Sequence, residues 1–420
     1  MTKNITKKLI SRKSLLDSFF SKLTLDSSSD IRFQNSDGVF IDRVVVYCHD
    51  LPGLIAYKKI LENSSDSDDM LNVVGMDDGK GMLKITLNWS KVIKYRGRNQ
   101  LMGPKCGLIL AIVANVPESY HNMKILMNLT NINEIEYHLS QDLKLTNIII
   151  GITSHTSKYP CPYGECYKDN KSNEWYKGTD RTIKNLRSNQ RKWCEAPARQ
   201  NDRKLLKESK NCENVPLISC DDPDTPILYV IPPPPLHLVL LGPVNHIINH
   251  LKQRYSQIVN ILDTLHIQRS KYHGKTFEGN QCRQILQKIH KLNIPIEYKE
   301  YKQVLIDLKA IHTVCNSNML PHNYVEVLDK FSSSWQSLKD KFGISTTPKL
   351  HIILDHLEDY FNETNRTLLK TSDEVVENMH QFVFKRLMKG YNVKNISNPI
   401  HGDKLYNLVR HINTYNLDVK

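Results

Sequence analysis

The hydrophobic rhythm of the chain changes part-way along. In the first half the apolar positions read as strands. VFIDRVVVYC (39–48) is β-branched, and GMLKITLNW (81–89) alternates apolar and polar residues as a half-buried strand does. CGLILAIVANV (106–116) is a continuous apolar run, expected of a central strand buried on both faces. NEIEYHLSQ (133–141) predicts a further strand, and LKLTNIIIGI (143–152) a helix with Asp142 near its N-cap. Residues 1–30 read as a basic helix running into a polar linker, and SSDSDD (64–69) as a flexible acidic loop.

Periodicity fades over 155–230, a polar, basic stretch rich in Cys and Trp that predicts irregular or metal-stabilised structure. Four prolines at 232–235 end it, and from 236 to about 340 the apolar spacing is helical. TPKLHIILDHLEDYF and SDEVVENMHQFVFKRLMKGY predict two more helices. The expected class is α/β, with boundaries at 1–38 (basic segment and linker), 39–160 (strand-rich core), 161–230 (Cys/Lys-rich region), 231–345 (helical insertion) and 346–420 (a His-bearing helix and a C-terminal helix).

Composition narrows the partners. The 420 residues are 40% hydrophobic, enough for a sizeable core, and the net charge is +13, which favours polyanions such as nucleic acid. No run approaches the ~18 apolar residues of a membrane span. The basic N-terminus does not read as a signal peptide. Nine irregularly spaced cysteines argue against a disulfide framework and for a reduced compartment.

Several acidic residues sit where chemistry is possible, each with a structural alternative. Asp77 and Asp78 precede a Gly turn in MDDGKGM, and Asp-Gly is also a hairpin signal. Asp142 lies between a strand and a helix, where a plain N-cap would do. Glu374 and Glu377 lie on one predicted helix, and Glu377 shares a face with His380; a solvated face explains them equally well. The basic stretch RTIKNLRSNQRKW (181–193), with Lys184, Arg187, Arg191 and Lys192, could track a DNA backbone or form a solvated loop. His237 is expected to pack beneath the helical insertion.

Cys161 and Cys166 bracket PYGE, a knuckle able to turn two thiolates toward one ion, and His351 and His356 are separated by four residues. Both spacings approach those of zinc ligands, and together they would make a closed, structural Cys2His2 site from two distant segments. Asp355 or Glu358 could orient an imidazole. His155, Cys194, Cys212 and Cys220 are alternative ligands.

Taken in order, these motifs resemble the eukaryotic cut-and-paste DDE transposases. The closest likeness is to the group with a helical insertion and a split Cys/His site, of which the Transib transposases and the vertebrate recombination-activating recombinase are members. The motifs are MDDGKGMLKI, DLKLTNIIIGITSHTSKYPCPYGEC, TPKLHIILDHL and SDEVVENMH, with PPPPLHLVLLGPVNH opening the insertion, and they span roughly 40–420. The resemblance implies an RNase H-like core with a mixed five-stranded sheet, interrupted by a zinc-stabilised, mostly helical insertion. It implies a triad of Asp77, Asp142 and Glu377 binding Mg²⁺ or Mn²⁺, and zinc on Cys161, Cys166, His351 and His356. Asp78 and Glu374 compete with Asp77 and Glu377. The activity implied is two-metal phosphodiester hydrolysis and strand transfer at transposon ends, by a nuclear homodimer acting on DNA; the alternative is an inactive transposon-derived DNA-binding or scaffold protein. The chain departs from the family in a short interval between the two aspartates and a Cys pair wider than C-x₂-C.

Overall fold

The computed structural model describes residues 15–61, 70–79, 81–91, 93–95, 98–100, 107–153, 158–169, 172, 174–196, 202–269, 276–374 and 402–418. The chain divides into two units. The first comprises 1–152, 212–223 and 373–420; the second comprises 153–211 and 224–372. The Cys pair, the helical stretch and the His pair therefore lie in one unit, and the predicted strands lie in the other. No described helix is long and apolar enough to cross a membrane, and no disulfide joins the described cysteines.

The first unit is built on a mixed sheet. Its strands in chain order are β1 (Phe20–Leu25), β2 (Arg43–Cys48), β3 (Met70–Gly79), β4 (Met82–Lys91), β5 (Leu108–Ala114) and β6 (His138–Ser140), hydrogen-bonded in the order β1-β2-β5-β4-β3-β6. The α/β class stands, with six strands instead of five. Two of them were not among the strands read from the sequence: β3, and β1, which lies where a basic helix and linker were expected. Its residues FSKLTL pair antiparallel with β2, Phe20 opposite Cys48, and bury both ends. That pairing outweighs the helical reading of the local sequence.

Strand β5 is the predicted central strand, and all seven of its residues are buried. It carries a bulge: Ile85 faces Ala111 but the next residue, Thr86, faces Ile109. β2 pairs with β5 only over Ala111–Val113, and the Ile109 backbone is taken up by Asn413 of the C-terminal helix Gly402–Asp418, whose Oδ1 accepts from Ile109 N–H (2.9 Å) and whose Nδ2 donates to Ile109 C=O (3.0 Å). Buried backbone groups must be satisfied, so this helix is keyed to the sheet by a polar contact as well as by Leu405, Leu408, Val409 and Ile412.

Strands β3 and β4 form a long hairpin in which Gly79 faces Met82. The Asp-Gly pair is not its turn. Asp77 and Asp78 remain in the strand opposite Lys84 and Leu83, and Gly81, at φ +71°, precedes the return strand. Past β5, helix α2 (Tyr120–Thr130), capped by Ser119, leads through a 3₁₀ turn at Ile132–Glu134 to β6. The strand expected over 133–141 is thus only three residues long. It pairs parallel with β3 and hands over to helix α3 (Leu143–Ile149). Helix α1 (Leu51–Leu61) follows β2.

The second unit is mostly helical. It opens on the Cys-bearing knuckle and a short hairpin, β7 (Tyr167–Lys168) with β8 (Trp175–Tyr176). The basic stretch, in a region expected to be irregular, forms the helix α4 (Ile183–Cys194), started by a capping box between Thr182 and Asn185. A shorter helix, α5 (Asp202–Glu208), follows. After the prolines a π-helical turn, Leu236–Leu241, runs into α6 (Gly242–Arg254), and His237 is half-buried there. Helices α7 (Lys299–Cys315) and α8 (Tyr324–Phe342) pack along one another around Tyr301, Phe331 and Trp335. The His-bearing segment is two helices, α9 (Pro348–Asp355) and α10 (Leu357–Thr364), broken at His356. The helix predicted to carry Glu377 and His380 is described only as far as Glu374; Glu377 and His380 lie outside the described residues.

Candidate functional site: a Cys2His2 cluster and a carboxylate cluster

In the second unit, Cys161 and Cys166 are held by a local clasp. Glu165 N–H donates to Thr179 C=O (2.8 Å) and Arg181 N–H to Tyr163 C=O (2.8 Å), zipping the knuckle to the strand-like segment that follows the hairpin. The Arg181 side chain is fully buried. Its Nε donates to Cys161 C=O (2.9 Å) and its guanidinium reaches the carbonyls of Tyr159 (3.3 Å) and Lys210 (3.0 Å). This arginine, read from sequence as the start of a DNA-tracking stretch, is a strut of the knuckle.

The two histidines converge because the helix breaks. Residues five apart on a continuous helix point about 140° away from each other. His356 leaves the helical conformation (φ −125°, ψ −21°), ending α9 and starting α10, and its ring swings back beside that of His351, with centroids 5.1 Å apart. His356 Nε2 lies 3.2 Å from Cys161 Sγ and 3.9 Å from Cys166 Sγ. One ligand atom from each of Cys161, Cys166, His351 and His356 lies within 4.8 Å of the other three, and all four residues are buried. Tetrahedral zinc with these ligands requires donor separations of about 3.3–3.8 Å, so a small contraction closes the shell. The cluster could hold a metal such as zinc.

The surroundings suit a metal. The Asp355 carboxylate faces His351 Nδ1, which leaves Nε2 for the ion; Asp355, not Glu358, is the orienting acid. Burial disfavours a charged His351, but Asp355 and then Cys166 outweigh it and hold its pKa above the ordinary value. Burial and the neighbouring Cys166 raise the Cys161 thiol, and the Cys161 hydrogen bond lowers Cys166. Trp175 of β8 stacks flat on His351. Gly164 has no room for a side chain: a Cβ there would lie 2.8 Å from Cys166 Sγ and 3.3 Å from His356 Cε1. The alternative ligands are elsewhere. Cys194 is exposed beside Gln190, Cys220 donates to Asp222 C=O, Cys212 is bridged to Ile152, and His155 lies outside the described residues.

The first unit gathers carboxylates at one end of the sheet. β6 runs parallel to β3 with His138, Leu139 and Ser140 opposite Val73, Val74 and Gly75. Two residues beyond the last pair on each chain stand Asp142 and Asp77. Asp142 caps α3, its Oδ1 accepting from Leu145 N–H at 2.8 Å, as its sequence position predicted. Asp77 is half-buried, and Lys84 Nζ, fully buried, lies 3.5 Å from its Oδ2.

Two further residues complete the cluster. Glu118 is a member that sequence reading missed, because it looks only like a residue ahead of a helix cap. Its Oε1 accepts from Asp78 N–H (2.9 Å) and its Oε2 pairs with Lys144 (2.7 Å). Burial, then the Glu118 charge, raises the Asp78 pKa. Burial lowers Lys144, but Glu118, Asp142 and Asp78 more than reverse it. Asp78 Oδ1 is buried with no hydrogen-bond donor, the kind of orphaned acceptor that a cation satisfies.

On α4, Lys184, Arg187 and Arg191 are exposed along one stripe, with Lys192 beside it. Lys184 pairs with Asp224 (2.9 Å), and Lys192 donates to Asn189 (2.8 Å).

Residues 32–197 match a family model described as a domain of unknown function, DUF8703. The match takes in most of the sheet, the cysteine knuckle and α4, and stops well before the two histidines. No curated protein matches the chain.

Proposed function

We propose that the chain is a transposase-like, metal-dependent DNA nuclease and strand transferase with an RNase H-like core. The observation that carries this reading is the placement of Asp77 and Asp142 at the ends of adjacent parallel strands, each two residues past the paired positions Gly75 and Ser140. The strand order supports it. Three consecutive antiparallel strands (β3, β4, β5) are followed by a helix and then a strand parallel to the first. Strands β1 and β2 continue the sheet beyond β5.

Asp77 and Asp142 would hold Mg²⁺ or Mn²⁺, with Glu377 as the third ligand carried by the resemblance. On the residue next to Asp77, the Asp78 Oδ1 is a further buried acceptor without a donor. When bound, such ions supply Lewis-acid activation of water and stabilise charge on the leaving oxygen. The chain's own residues fix the carboxylates. Asp142 is held by the Leu145 amide, Asp77 by Lys84, and Glu118 by Asp78 N–H and Lys144. The Cys2His2 cluster is the structural site, and the exposed stripe of α4 is the surface for DNA phosphates. Action as a nuclear homodimer on transposon ends and target DNA belongs to the same proposal.

One observation favours the inactive alternative. Lys84 already neutralises Asp77 without a metal, and a scaffold needs no more than that. Nicking of supercoiled plasmid by the full chain separates the two. The catalytic reading expects nicking with Mg²⁺ or Mn²⁺, none in EDTA, and loss in Asp77→Asn but not in Asp78→Asn. Loss in Asp78→Asn alone would transfer the role to Asp78, and no metal-dependent nicking by the wild type would favour the scaffold.

A further inference from the structure

The hairpin β7–β8 presents opposite faces to different surroundings. Side chains alternate along a strand, so Trp175 and Tyr176 point apart. Trp175 turns inward onto His351. Tyr176 turns outward, is 43% exposed, and stacks on its cross-strand partner Tyr167 with centroids 4.8 Å apart and planes 12° apart. Behind them Tyr159, only 5% exposed, meets Tyr167 edge-on at 5.9 Å. The three rings form a column that runs from the interior to the surface. Among the described residues no second ring covers Tyr176.

Cations flank this column. Lys158 is exposed, with Nζ 5.1 Å from the Tyr167 ring. Lys210 lies 4.5 Å over the Tyr159 ring, with its Nζ 3.3 Å from the Tyr159 hydroxyl. An outward aromatic face beside ammonium groups is the arrangement by which proteins hold unpaired nucleic-acid strands: bases stack on the rings and phosphates meet the cations.

We propose that the Tyr167–Tyr176 column with Lys158 and Lys210 binds single-stranded DNA, taking an unpaired base on Tyr176 and the adjoining phosphates on the lysines. The choice of DNA rests on the nuclease reading; the stacking and charge argument does not. Because Trp175 anchors the same hairpin to the Cys2His2 cluster, the platform depends on that cluster for its position.

The test is binding of the full chain, in EDTA-free buffer without added Mg²⁺ or Mn²⁺, to a fluorescent dT oligonucleotide, to the same length of duplex and to U-rich RNA. Tyr176→Ala should weaken dT binding about tenfold or more, the effect of losing one stacked base. Tyr176→Phe should retain it, and duplex binding should be unchanged. Lys158→Gln should reduce the salt slope for dT by roughly 0.7. Equal metal content in each variant shows that the hairpin is still seated. Undiminished dT binding by Tyr176→Ala overturns the proposal, as does an equal loss for duplex. A loss seen with RNA and not with dT assigns the platform to RNA and overturns the DNA claim. Plasmid nicking that persists in Tyr176→Ala leaves the nuclease reading standing whatever the binding result. Failure of wild-type nicking with dT binding intact overturns only that reading.

Discussion

The Trp175 indole lies parallel to the His351 imidazole, 4.0 Å between centroids and 5° between planes, and its Nε1–H donates to Thr346 C=O at 3.0 Å. Trp175 therefore fixes the plane of a ligand ring whose Nδ1 is already committed to Asp355. Outer partners of this kind typically change metal affinity by about 10–100-fold. Trp175→Leu should weaken zinc binding within that range, read by competition with a chromophoric chelator. Unchanged affinity would show that the stack is mere packing.

Gly164 makes a sharper demand. A methyl group there meets the Cys166 sulfur and the His356 ring, neither of which can yield without leaving the cluster. Gly164→Ala should lower bound zinc below one per chain and cost thermal stability, whereas the wild type should carry one. A full complement of zinc in Gly164→Ala would contradict the close approach.

His312 of α7 gives the second unit a pH dependence of its own. Burial, then the Arg283 charge, lowers its pKa from 6.5 to about 4, and its Nε2 is buried with no hydrogen-bond partner. Folding lowers this pKa, so between those values the unfolded chain binds a proton that the folded chain refuses. The stability contribution is whole above pH 6.5 and is lost as the pH falls toward 4. Between pH 7.5 and 5 the wild type should lose on the order of 2 kcal/mol more than His312→Gln, measured by denaturant titration at both values. Parallel pH profiles would contradict this.

How much was legible in the sequence follows from what each signal depends on. The run LILAIVA announced a strand buried on both faces because burial on both faces needs no alternation. The Cys and His spacings announced a shared site because ligand spacing is local. Asp142 was readable as a cap for the same reason. The break at His356 was not readable, since HIILDH has helical composition. Arg181 looked like a DNA-facing cation because sequence cannot show that its guanidinium lies among carbonyls. Glu118 joins the carboxylates only through the fold, as does the parallel register of β3 and β6. Strand β1 was hidden by the basic residues around it.

Cleavage of plasmid DNA by Asp142→Asn tests the central claim most directly. Asparagine is as good an N-cap as aspartate, so α3 and thermal stability should be preserved while the charge that would hold the ion is lost. The nuclease account predicts wild-type folding and zinc content, with Mg²⁺-dependent nicking reduced at least a hundredfold. Nicking by Asp142→Asn at the wild-type rate would contradict it.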